Sequence, residues 1–552
     1  MLPTEHKPGR QEPSKNGYKD FGPLRSPRGH SDDKSGANMV LSVATKTKGW
    51  SKPLVLPIQN VQVDPNYDDS YMIGIPAQVG TPPQNLVLLP WADLNNTWIY
   101  DNEPHCSRET IINDRVCKVR RGGLFNEQDS TTFINYINVI EAGGAVDGTI
   151  VKGGQYGLRK LAQDGLGATD KVKLQGSFEL EDFPFGVPTS AWDDGPTTLS
   201  PLGLGPNSTY LNTLRRAGQI TSRVWSVFWG RMWVNDDLDG SLVLGGYDEK
   251  KTTGDNFTAP LVFGNFDAQE GCWTGMRVTI TDIKINFLGG TNSSIVPTGT
   301  SLQCCIDPTH NLLLDAPNKY IENFERISGL ETNPSSSGLH WKALQTDYRK
   351  PFAADLTFYL ESGLQVRIPN NQYMVPFVDI DTDGSRVIDT SKRDILMTGI
   401  EDEAPTLGRY FLTAAYLMVN HDAGTFTLWS ANATKESDLV KVFDKDASNE
   451  CGKESTGVIQ PPVSSGSKDS DADDSGSNSS PSAGVIGGAV AGAVAGVVLL
   501  GLWVTYLLFK RRRGAREQDT YYYYPAQEEM QRSEIHEMDS TPREITMHHT
   551  KG

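Results

Sequence analysis

Residues 80–98 read Gly80-Thr81-Pro82-Pro83-Gln84-Asn85-Leu86-Val87-Leu88-Leu89-Pro90-Trp91-Ala92-Asp93-Leu94-Asn95-Asn96-Thr97-Trp98. A Gly-Thr-Pro-Pro turn leads into an apolar run, and then into a polar loop. Upstream, residues 68–75 (DDSYMIGI) read as the strand that enters this turn. Through much of the middle of the chain Val, Thr and Ile alternate with polar residues, and glycine is frequent, as in an all-β domain with many turns. The chain has 552 residues, ample for a stable core. Its net charge of −17 argues against a nucleic-acid partner, whose phosphates it would repel.

Further segments fall in a consistent order. Cys106 and Cys117 follow the first loop. Leu202-Gly203-Leu204-Gly205 comes next, and then Gly240-Ser241-Leu242-Val243-Leu244-Gly245-Gly246. Leu407-Gly408-Arg409-Tyr410-Phe411-Leu412 and residues 416–428 close the series. Together these segments, over roughly residues 57–435, resemble the pepsin-like aspartic peptidases. The resemblance implies an all-β, bilobal pepsin-like (acid protease) fold with lobes at 53–247 and 248–449, and a disulfide between Cys106 and Cys117. In that family I-G-T-P-P-Q runs into a strand and then D-T-G-S-S-D-L-W-V. Counted from either Gln84 or Trp98, the place of the first catalytic aspartate holds Trp91. The family's aspartate after the closing L-G is here Arg409.

The second catalytic position has two readings. Pro297-Thr298-Gly299-Thr300-Ser301 is the family's D-T-G-T-S with proline in place of aspartate. Asp307-Pro308-Thr309 follows it, resembling the loop of some fungal membrane-anchored homologues. Residues 312–317 and a helix over 318–327, with Tyr320, Phe324 and Ile327 on one face and Gly329 as C-cap, come directly after Asp307 and favour it. The Pro297 register stays open. Either way the two-carboxylate dyad is incomplete, and the scaffold reads as one with its hydrolysis disabled. Asp93 is a weak substitute, since it falls at the family's glycine and reads more simply as a turn residue. Trp91 reads as filler of the space a dyad would occupy, or as an aromatic platform for a ligand. The flap implied by the resemblance falls near 132–149, with Tyr136 the nearest candidate for its tyrosine.

Of the 6 cysteines, Cys272, Cys304, Cys305 and Cys451 remain, and their pairing is open. No zinc spacing and no phosphate-binding glycine loop occurs, so no metal or cofactor is expected. Glycosylation sequons stand at Asn95, Asn207, Asn256, Asn292, Asn432 and Asn478, and suit a secretory-pathway glycoprotein.

The C-terminal region changes character. Residues 450–482 are rich in Ser, Gly and Asp and read as a stalk. Residues 483–509 carry no charge. As a helix at about 1.5 Å per residue they exceed the roughly 30 Å hydrocarbon core of a bilayer. Lys510, Arg511, Arg512, Arg513 and Arg516 follow, which puts the tail 510–552 in the cytosol and the β domain outside or lumenal. The expectation is a single-pass protein of the plasma membrane or another secretory-pathway membrane. Gly484, Gly488, Gly492 and Gly496 form a candidate homodimer face, with small filler the simpler account. Tyr521-Tyr522-Tyr523-Tyr524-Pro525 reads as a low-complexity run. Residues 1–52 read as disordered and show no apolar signal segment, which points to an incorrectly assigned gene start. Three functions compete: a non-catalytic cell-surface binding or sensor protein with a peptide or cell-wall ligand in the cleft, an active membrane-anchored aspartic endopeptidase, and a structural surface scaffold.

Overall fold

The structure, a computed structural model, describes residues 52–444 apart from 104–105, 107–110, 112, 147–164, 190–198, 235, 265–270, 333–334 and 348–351. Strands dominate. Leu54–Gln62, Tyr71–Val79 and Gln84–Trp91 run antiparallel in sequence order. The strand expected from residue 68 starts at Tyr71. The Ser70 hydroxyl donates to the carbonyls of Asp64 and Tyr67, and so closes residues 64–70 into a turn.

Two strands that lead into loops pair in parallel with distant segments. Gln84–Trp91 pairs in parallel with the distant Ser200–Gly203, and Trp91 lies opposite Gly203. Leu302–Ile306 pairs in parallel with Thr406–Leu407, and Ile306 lies opposite Leu407. The glycines at these crossings are required by space. A Cβ on Gly203 would lie 2.4 Å from the Asn96 carbonyl oxygen, and one on Gly408 would lie 2.1 Å from that of Leu312. Each loop folds back over its glycine with backbone against backbone.

After the second loop comes the helix Asn318–Ser328, which ends on Gly329 in the left-handed region at φ 69°. Its Tyr320, Ile321 and Phe324 are buried, while Ile327 is half-buried.

The halves of the chain share a sheet. Val224–Arg231 and Leu238–Leu244 from the first half continue into Ala415–Asn420, Thr425–Ala431 and Thr252–Pro260. The boundary drawn near residue 247 therefore separates sequence segments but not sheets. A second bridge forms where Arg120 pairs with Asp379 and Asn113 Nδ2 donates to the Thr382 carbonyl at 2.9 Å. Among the described residues no helix is long and apolar enough to cross a membrane. The expected stalk, span and tail at 450–552 and the segment 1–51 lie outside the described residues.

Gly408→Ala is expected to destabilise the domain by about 1–3 kcal/mol, because the added methyl meets backbone that cannot move aside. Gly289→Ala, where a Cβ meets nothing within 4 Å, should change stability by less than about 0.5 kcal/mol. Denaturant unfolding of the two variants checks the contrast.

Candidate functional site

The two parallel crossings define equivalent places. The Asp307 amide donates to the Leu407 carbonyl at 2.9 Å, which sets Asp307 opposite Gly408. Trp91 stands opposite Gly203 in the same way, with its carbonyl accepting from the Leu204 amide at 2.8 Å. Trp91 and Asp307 are thus counterparts in the two halves. Pro297 is not a counterpart of either. It lies half-buried in a turn closed by Thr300, whose amide and hydroxyl both donate to the Pro297 carbonyl at 3.1 and 2.7 Å. Pro297, the alternative register for the second catalytic position, therefore lies in a turn and not at a parallel crossing.

Asp307 is buried, at 4% exposure. Its Oδ1 accepts from the Thr309 amide at 2.9 Å and the Thr309 hydroxyl at 2.6 Å. Its Oδ2 accepts from the Trp273 indole N–H at 3.0 Å. Three of the roughly four acceptor positions of a carboxylate are filled from its own half of the chain. Among the described residues no second carboxyl is hydrogen-bonded to it. A disulfide between Cys272 and Cys305 holds the Trp273 segment against the strand that leads into Asp307. Neither that pairing nor the part played by Trp273 was decided by spacing, although Cys272 directly precedes Trp273 in sequence.

Trp91 is 1% exposed and closes a strand buried along most of its length. Asp93 is half-buried in the loop beyond it. Behind the Asp307 loop, the Arg409 guanidinium donates to the carbonyls of Thr309 and His310 and lies 5.1 Å over the Trp229 ring. Burial lowers the Arg409 pKa to about 10, with Tyr410 and Asp307 opposing the shift, so it stays cationic at neutral pH.

Two histidines flank this arrangement. His310 Nε2 lies 2.8 Å from Asp315 Oδ1. His340 bridges Asp394, at 3.1 Å from Nδ1, and the Tyr410 hydroxyl, at 2.9 Å from Nε2. The Trp233 indole also donates to Tyr410, at 3.2 Å. This buried Asp394–His340–Tyr410 chain joins residues far apart in sequence, and no periodic signal marked it.

Other expected sites fall as follows. Cys106 and Cys117 are joined, and Cys304 is a buried free thiol whose pKa burial pushes up. Cys451 lies outside the described residues. Tyr136 is half-buried on the short strand Ile134–Tyr136. Asn207, Asn256, Asn292 and Asn432 are exposed, and Asn478 lies outside the described residues. Asn95 is a correction. Its side chain is buried, donates to the Val146 carbonyl at 2.9 Å and accepts from the Asn207 amide at 2.9 Å, so a glycan does not fit there.

Residues 197–431 match the eukaryotic aspartyl protease family. The chain is 25% identical to pepsin B of Canis lupus familiaris over 280 residues, covering 49% of this chain and 62% of that protein. It is 26% identical to gastricsin of Cavia porcellus over 283 residues, covering 49% of this chain and 60% of that protein. Over these residues the chain is similar to the pepsin-like aspartic peptidases. The aligned stretches span less than two thirds of either relative's length. The family match includes the Asp307 loop and begins after the Trp91 loop. Within this pepsin-like domain, then, one half presents a carboxyl at the crossing and the other half an indole.

The His310 pair gives a pH signature. Burial alone would lower the His310 pKa, but Asp315 and Asp307 outweigh it and raise it above the ordinary value of about 6.5. Its stabilising contribution is therefore full below about pH 6.5 and is lost as pH rises through the raised folded value. In histidine NMR spectra His310 should titrate above an ordinary histidine. Asp315→Asn should bring the midpoint down, and the stability gap between the two proteins should shrink as pH rises through the wild-type midpoint.

Proposed function

We propose that this pepsin-like domain binds ligands in the space between its lobes without hydrolysing them. The observation that carries the reading is the pairing of Trp91 with Gly203, where the other half sets Asp307, bonded through its amide to the Leu407 carbonyl. Aspartic peptidase chemistry needs two facing carboxyls that share one proton, one as base for the attacking water and one as acid for the carbonyl oxygen. An indole neither gains nor loses a proton at working pH. A lone Asp307 cannot fill both roles, and each is worth about 10²–10⁴-fold in rate. Its hydrogen bonds to Trp273 and Thr309 commit it further to a structural task.

A bilobal β scaffold without the dyad still offers strand edges and pockets for an extended chain. We place this domain outside or in the lumen, at the plasma membrane or another secretory-pathway membrane, on the stalk and span of residues 450–509 with the tail in the cytosol. That layout suits a glycosylated surface receptor or sensor for a peptide or cell-wall ligand, with the Gly484–Gly488–Gly492–Gly496 face available for pairing of two copies.

The test is cleavage of a peptide library by the full chain from pH 3 to 7, beside an Asp307→Ala control. The expected result is no cleavage from either protein while circular dichroism reports a folded domain. Cleavage that disappears with Asp307→Ala would overturn the reading and establish an active membrane-anchored endopeptidase. Absence of any ligand would leave a structural scaffold.

A further inference from the structure

Between the halves of the domain, beside the two crossings, lies a cavity of about 50 Å³. Leu89, Trp229 and Trp233 wall it on the first-half side; Arg386, Arg409, His340 and Tyr410 face it from the second. Among the described residues its lining carries two guanidinium groups, Arg386 and Arg409, and no carboxylate. Arg386 gives one bond to Asn60 Oδ1 at 2.7 Å, and its guanidinium lies 5.3 Å over Trp233 and 5.5 Å over Tyr71. Arg409 bonds only to backbone carbonyls and lies over Trp229. Among the described residues neither guanidinium has a carboxylate within ion-pair distance. The electrostatic attraction on Arg386 comes from Tyr71 and then Asp69, and that on Arg409 from Tyr410 and then Asp307.

Two guanidinium groups facing one small space without a paired anion are electrostatically costly, and the cost falls when an anion enters. The cavity also has an entrance. An open groove of about 390 Å³ shares Ile73, Trp233 and Arg386 with it. Arg386 and Trp233 therefore stand at the neck between groove and cavity. Trp233 holds φ at 64°, in the left-handed region, which costs on the order of 1–3 kcal/mol for a residue with a side chain. Its indole bond to Tyr410 and its stack with Arg386 keep it there. The strained residue thus sits where a ligand would pass.

We propose that the inter-lobe cavity is a carboxylate-binding site, in which Arg386 at the neck and Arg409 within receive the carboxylate of an acidic peptide. A carboxylate group fits a space of this size and takes paired N–H donors from a guanidinium. This deepens the ligand-binding reading above and rests on it. The carboxylate can come from a Glu or Asp side chain or from a chain terminus, and the chemistry of capture is the same.

The experiment is isothermal titration of the full chain with three sets of acetylated hexapeptides. One set carries a central Glu with an amidated end, one the Gln isostere with an amidated end, and one the Gln isostere with a free terminal carboxylate. The expected result is at least tenfold tighter binding of the Glu set or the free-acid set than of the neutral set, and whichever wins identifies the source. Arg386→Gln should abolish that preference, and Arg386→Lys should restore part of it with unchanged unfolding behaviour. Equal binding of charged and neutral sets, or a charge preference untouched by Arg386→Gln, would overturn the carboxylate site while leaving a peptide-binding domain. No binding by any set would overturn the ligand-binding reading itself, and the carboxylate site with it.

Discussion

The parallel crossing of each loop against a glycine governs the rest of the structure. At Gly203 and at Gly408 the backbone of a loop passes within a distance that no side chain could share. That closeness locks the residue opposite each glycine, Trp91 in one half and Asp307 in the other, at equivalent places. In a pepsin-like domain this constraint gives the scaffold its geometry, and the chemistry depends on which side chains stand at the two locked positions. Replacing one of them alters the chemistry and leaves the crossing intact, because the crossing is made by backbone bonds and absent side chains.

The surroundings of Asp307 satisfy it where it stands. Asp307 takes its hydrogen bonds from Thr309 and from Trp273, which the Cys272–Cys305 disulfide anchors. The Arg409 cation ties the carbonyls of the same loop together from behind. A buried carboxyl with neighbouring donors and a nearby guanidinium is well satisfied where it stands.

The sequence made the backbone devices legible and left the side-chain networks hidden. The turn and apolar run at 80–91, the helix after Asp307 and its Gly329 cap each carry a local signal of composition or period, and each stands close to where the residues put it. The alternative at Pro297 arose because a D-T-G-T-S-like string can also make an ordinary turn, which is what Thr300 closes there. Asn95 satisfies a glycosylation pattern, yet its amide is spent on Val146. The Asp394–His340–Tyr410 chain and the Arg386–Trp233 stack were not readable, because long-range contacts without a repeat leave no periodic trace. The share of one sheet between the halves was hidden for the same reason.

The central claim is that water is not activated between Trp91 and Asp307. Its most direct test is incorporation of oxygen-18 from labelled water into the carboxyl groups of a peptide pool held with the full chain at acid and neutral pH. The method detects bond cleavage too sparse to change the peptide pattern. The account predicts incorporation no higher than in buffer alone. Label uptake above buffer that vanishes in Asp307→Ala would show that a working pair of proton carriers survives, and would contradict it.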